Sequence, residues 1–171
     1  MQEKVQLKEI ETLRSPTYGM LTLPKIIKKI TSFAHSFPDH QYRIIIGTDS
    51  QERNHKAGRG IELVTALIVH RVGGGGIYFW KGTAKKLPHT LKEKIYEEAL
   101  ASLEFANEFL YLLKEEPELL KFDLEIHVDI GEKGKTREII AEVVAMIKGN
   151  GYEVRTKPEA FGASKVADRH T

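Results

Sequence analysis

The 171-residue chain contains no cysteine, which excludes disulfides and thiolate metal sites and makes a reducing cytoplasm the natural compartment. No apolar run is long enough to cross a bilayer, and the start, Met1 to Ile10, is charged and lacks the apolar stretch of a secretory signal. Charge of one sign is also missing: Lys plus Arg is 26, Asp plus Glu is 24, and the formal net charge is +2. Attachment to nucleic acid by bulk charge alone is thereby excluded, so any basic surface must be local. There is no internal repeat or low-complexity segment. What is present, with 41% hydrophobic residues, is enough for one soluble domain with its own core.

Residues 1–22 are polar and irregular, with Ser15-Pro16 and Gly19 as breakers, and are expected to form a flexible or partner-docked arm. The domain proper is expected over 23–171. Ile26, Ile27, Ile30 and Phe33 recur at helical spacing, predicting a helix over Leu23 to Phe37 with Pro24 in its first turn. Gln41 to Thr48 reads as a buried strand, Ser50 to Arg59 as a polar loop, and Ile61 to Val72 as a second strand. The run Gly73 to Gly76 has no following helix to cradle a phosphate, so it reads as a reversal into a third strand, Ile77 to Lys81. A long amphipathic helix, Leu91 to Lys114, follows. Then come a strand (Phe122 to Val128), a helix (Thr136 to Lys148), a short strand (Tyr152 to Thr156) and a last helix opening near Ser164. The order predicts an α/β fold with a mixed five-stranded sheet, three antiparallel meander strands then parallel strands, with helices on both faces.

Four carboxylates stand out in this frame. Asp49 follows an apolar strand and shares a face with Ile45 and Gly47. Glu98 projects from the stripe of Leu91, Ile95, Ser102, Ala106, Phe109 and Leu113, whereas Glu93, Glu97, Glu104 and Glu108 point elsewhere. Asp129 closes the strand Leu124 to Val128 on the same face as His127. Asp168 lies in the terminal helix. Taken singly, these read as a polar turn, an edge position reaching water and a solvated terminal charge; His127, taken alone, is more often structural. Brought together they would repel one another, and a divalent cation is the usual relief. His127 and Ser50 stand beside them as supporting residues.

Gly131-Glu132-Lys133-Gly134-Lys135-Thr136 follows a strand and opens a helix, the context of a nucleotide-binding loop. Only two residues separate its glycines where four are needed, which makes it a poor nucleotide site. The helix start at Thr136, with Lys135 and Arg137, still suits a single phosphate.

A strand Asp, helix Glu, strand Asp and terminal-helix Asp in this order resemble the ribonuclease H-like superfamily. Thr48-Asp49-Ser50 is similar to its first-strand signature, Glu98 with Ala101 to its first-helix pattern, and Ala167-Asp168 to its last-helix pattern. Ile46-Gly47-Thr48-Asp49-Ser50-Gln51, His127-Val128-Asp129-Ile130-Gly131 and Lys135-Thr136-Arg137 resemble more closely a small bacterial family within it, the YkuK group. Lys157-Pro158, Phe161 and Ala163-Ser164 fit the same pattern, and the likeness covers about residues 24 to 171. The resemblance implies the fold and a two-metal nuclease site. Asp49 and Asp129 would hold two Mg²⁺ or Mn²⁺ ions, completed by Glu98 and Asp168, and Lys135, Thr136, Arg137, Lys165 and Arg169 would position nucleic-acid phosphate. Two departures weigh against hydrolysis of an RNA–DNA hybrid: no histidine between Lys157 and Ser164, and no dedicated basic protrusion in the sequence. The near-neutral charge and the missing histidine favour the alternative of a non-catalytic nucleic-acid- or partner-binding module. An actin-like or sugar-kinase-like phosphotransferase ranks last, because it needs a second such domain and glycine-rich phosphate loops.

Overall fold

The computed structural model describes residues 11–131, 134 and 136–160. Its strands are β1 (Thr12–Ser15), β2 (Gly19–Thr22), β3 (Tyr42–His55), β4 (Gly58–Arg71), β5 (Gly76–Lys86), β6 (Asp123–His127) and β7 (Glu153–Arg155). The helices are α1 (Leu23–His35), α2 (Leu91–Leu113) and α3 (Arg137–Gly149), with a short 3-10 turn at Leu119–Lys121. All strands join one mixed sheet in the order β2-β1-β5-β4-β3-β6-β7. The pairs β2-β1, β1-β5, β5-β4 and β4-β3 are antiparallel, and β3-β6 and β6-β7 are parallel. The mixed α/β sheet is as expected, but it has seven strands where five were expected.

The two additional strands come from residues 12–22. Ser15-Pro16 and Gly19, read above as breakers, make the turn of a hairpin. The Ser15 hydroxyl accepts the backbone N–H groups of Thr17 and Tyr18, and Gly19 takes a φ of +73°. Leu13 and Leu21 face each other across the ladder, and Leu13 enters the core. A four-residue strand is too short for its alternation to show in the sequence.

Ser50 to Arg59, expected as a loop, is instead strand. The β3–β4 ladder runs unbroken from Tyr42↔Arg71 to His55↔Gly58, leaving only Lys56 and Ala57 as the turn. Polar residues on both faces hide such strands from a hydrophobicity pattern. The glycine run is the reversal expected of it: Arg71 N–H bonds Gly75 C=O, and Gly73 and Gly75 have φ values of +77° and +82°.

Ile44 and Ile46 of β3 share a face with Leu67, Val69, Phe79 and Ile126 of the paired strands. That face forms a single core with α1, α2 and α3. All described helices thus lie on one side, and the expected terminal helix falls outside the described residues. No helix among the described residues is long and apolar enough to cross a membrane.

At one end of this core Arg71 is only 8% exposed. Its guanidinium donates to the Tyr42 hydroxyl (3.1 Å) and the Phe33 carbonyl (2.9 Å), and lies 4.1 and 4.3 Å from the ring centres of Phe33 and Phe37. Aromatic faces and a carbonyl take the place of a carboxylate here. Arg71→Ala should therefore lower stability by about 2–3 kcal/mol in urea unfolding, through lost packing and cation–π contact. A change under about 0.5 kcal/mol, the usual effect of a surface substitution, would contradict this placement.

Candidate functional site

Two matched contacts set α2 on the sheet. The Ser102 hydroxyl donates to Thr48 Oγ1 (2.8 Å), which lies 2.9 Å from Thr65 Oγ1. One helical turn earlier, the Ser50 hydroxyl donates to Glu98 Oε1 at 2.5 Å. Four helix residues rise about 6 Å and two strand residues advance about 6.6 Å. With α2 antiparallel to β3, the two pairs fall into step. Thr90 caps the helix by accepting the Glu93 N–H. The helical stripe is confirmed from Ile95 to Leu113, while Leu91 is 54% exposed because the first turn stands clear of the core.

Glu98 is only 7% exposed. Burial pushes its carboxyl up to about 7, against the Ser50 hydrogen bond and the Lys94 ammonium 4.0 Å away, with the nearby Asp49 charge adding to the rise. Asp49 is on the opposite side of β3 from Ser50, half-buried in the middle of that strand, and its Oδ1 accepts the Ser50 N–H at 2.9 Å.

Asp129 stands two residues past the end of β6, whose last residue, His127, pairs with Gly47 of β3. Asp49 stands two residues past Gly47. The pairing stops there, because Ile130 N–H turns back to Val128 C=O (2.8 Å) around Asp129, so each carboxylate follows the last β3–β6 pair by two residues. Asp129 Oδ1 is buried, lacks an aligned hydrogen bond, and has the Lys157 ammonium at 3.1 Å. The contact counts as an ion pair by distance only, since its direction does not suit a hydrogen bond. Lys157 is brought there by its own N–H, which bonds Ile130 C=O.

His127 is paired with a residue the sequence did not single out. Its Nε2 lies 3.0 Å from Glu125 Oε2, and Arg155 Nε lies 3.6 Å from the other carboxylate oxygen. Burial drives the imidazole below its ordinary pKa, although Glu125 opposes this. Strand alternation, which put His127 beside Asp129, puts Glu125 on that face too, and this was the available signal.

Of the expected phosphate-binding residues, Thr136 gives its hydroxyl to Gly131 C=O (3.3 Å), and Arg137 is exposed at the rim of a cleft between α3 and β7. Lys135, Lys165, Arg169 and the fourth carboxylate, Asp168, lie outside the described residues. Among the described residues, no three His, Cys, Asp or Glu side chains come together as a group that could hold a metal ion. Asp49 and Asp129 thus each follow the Gly47–His127 pair by two residues, the Glu98 carboxyl is near enough to Asp49 to feel its charge, and these three do not form a closed set.

Comparison with known proteins agrees with this layout. The family described as "Ribonuclease H-like" matches residues 25–171. A Bacillus subtilis (strain 168) protein titled "Uncharacterized protein YkuK" is 34% identical over 163 residues, covering 90% of this chain and 92% of its own length. No solved structure matches. A meander followed by parallel strands, with Asp49 within β3 and Asp129 just past β6, and a match over nearly the whole chain, gives one answer: the protein belongs to the ribonuclease H-like family.

Proposed function

We propose that the protein is a metal-dependent phosphodiesterase acting on RNA or DNA, with Asp49, Glu98, Asp129 and Asp168 as its carboxylates. What supports this reading is that Asp49 and Asp129 each lie two residues beyond Gly47–His127, the last pair of the parallel β3–β6 ladder. The donor set fits Mg²⁺ or Mn²⁺, since carboxylate oxygens are the hard ligands such ions take. The buried Asp129 oxygen, without a hydrogen bond and facing an ammonium, suits a cation. A fourth carboxylate from the C-terminal segment would complete the set.

Bound ions would supply a water of lowered pKa and charge stabilisation at the leaving oxygen. The protein's part is positioning. Asp49 and Asp129 would hold the cations, Ser50 fixes the Glu98 carboxyl, and Lys135, Thr136 and Arg137, with Lys165 or Arg169, would hold the phosphate without reading sequence. The test is cleavage of a labelled panel of RNA, DNA and hybrid strands with Mg²⁺ or Mn²⁺. A protein that binds the panel and cleaves none of it is a binding module.

The Lys157–Asp129 pair is the observation that favours that second reading, because an ammonium already neutralises the carboxylate. Lys157→Gln separates the two. If Asp129 serves a metal, the variant should bind Mn²⁺ several-fold more tightly, seen as a larger Mn²⁺-dependent rise in melting temperature. If the pair is structural, the variant melts earlier and Mn²⁺ does not restore it.

A further inference from the structure

The sheet projects past its own flanks. Asp49, Val64 and Gly82 form one row across β3, β4 and β5. The neighbouring ladders stop before it: β6 pairs β3 only as far as Gly47, and β1 meets β5 at Trp80. Beyond the row, residues 50–55, 58–63 and 83–86 continue as three paired strands with no other described strand beside them. Six residues of β3 carry this ribbon about 20 Å past Asp49.

The ribbon is locally basic. Residues 50–63 and 82–86 hold Arg53, Lys56, Arg59, Lys85 and Lys86 against Glu52 and Glu62, an excess greater than the +2 of the whole chain. Both carboxylates face arginines, Arg59 to Glu52 at 2.8 Å and Arg53 to Glu62 at 2.9 Å. The Arg53–Glu62 pair is half-buried, whereas the Arg59–Glu52 pair is exposed, and such a pair is weak and leaves Arg59 open to a stronger anion. Lysines on an exposed β5 edge also guard against edge-to-edge association. That role does not account for Lys56 and Arg59, which sit at the β3–β4 turn. The segment contains no Phe, Tyr or Trp, whereas single strands are held largely by stacking on aromatic rings. A cationic ribbon without rings suits the dense phosphate charge of a duplex.

We propose that this ribbon is an arm that grips the phosphate backbones of a double-stranded nucleic acid beside the Asp49 end of the sheet. Its use in cleavage rests on the phosphodiesterase reading, but its binding role does not.

The test is fluorescence anisotropy with short labelled duplexes (RNA, DNA and hybrid) and the matching single strands. Full-length protein is titrated in EDTA, from about 50 to 200 mM salt. The variant is Lys56→Gln with Arg59→Gln, Lys85→Gln and Lys86→Gln, all exposed positions, with its fold checked by melting. Duplex affinity should fall at least tenfold, and the slope of log K against log salt should flatten by about three. Exchanging Lys and Arg at the same four sites should restore both. Unchanged affinity and slope, tighter binding of single strands, or no duplex binding by the parent would each overturn the arm. Salt-sensitive duplex binding without cleavage in Mg²⁺ or Mn²⁺ sinks the phosphodiesterase reading and leaves the arm standing. Intact cleavage with unchanged variant binding sinks the arm alone.

Discussion

Asp129→Asn should lower cleavage of nucleic acid by at least about a thousandfold while leaving affinity for it similar or higher. The amide keeps the shape of the carboxylate and removes its charge. Transition-state charge would then lose its preorganised counterpart, and a single such loss costs about 10²–10³ in rate before any metal is released. Ground-state binding would rest elsewhere, on the phosphate contacts proposed for Arg137 and the projecting ribbon, so it should survive. Affinity has a reason to rise, because a buried negative charge near the phosphate is removed. The measurement is single-turnover cleavage alongside anisotropy, both with Mn²⁺. If the variant cleaves within tenfold of the parent, Asp129 is not in the catalytic set and the site must be sought elsewhere.

The second large effect is on stability and pH. Between about 4.5 and about 7 the folded protein keeps a proton on Glu98 that the unfolded chain has released. The folded state therefore binds more protons in this window, and stability must fall as pH rises through it. The stabilisation is full below pH 4.5 and gone above 7. At roughly 1.4 kcal/mol per pH unit, the total is on the order of 3 kcal/mol. Glu98→Gln keeps a neutral side chain that can still accept from Ser50 and does not titrate. In EDTA the variant should equal the parent near pH 4.5 and exceed it by about 2–3 kcal/mol at pH 8. His127, held below its ordinary pKa, pulls the opposite way, since its contribution is lost as pH falls. It is common to both proteins and cancels in the difference. Urea unfolding at several pH values gives that difference directly, and parallel pH profiles would show that Glu98 is ionised throughout in the fold.

The carboxylates show which inferences a sequence supports. Glu98 was found from its spacing alone, because a helix that buries one stripe must bury whatever lies on it. For Asp129, alternation gave an expected side in the same way. Neither rule says how far apart two such residues end up. That Asp49 and Asp129 both follow the last β3–β6 pair depends on Gly47 pairing with His127, a choice of register between strands about eighty residues apart. The partners were hidden for the same reason. Lys157 reaches Asp129 and Glu125 reaches His127 and Arg155 through contacts that no local pattern encodes.

The strands behaved likewise. The core of β3, β4 and β6 was legible because buried strands are apolar runs, and α2 because its period is 3.6. The β1–β2 hairpin, the outer halves of β3 and β5 and the first three residues of β4 were not. Their residues are short-patterned or polar on both faces, and they are strands because neighbours offer them hydrogen bonds. The sequence by itself determined the family, the α/β class and the inward side of Glu98, since these rest on local periodicity and motif. Register, the partners of each charge and the projecting basic ribbon were decided only by the tertiary structure, because backbone pairing between distant segments sets them.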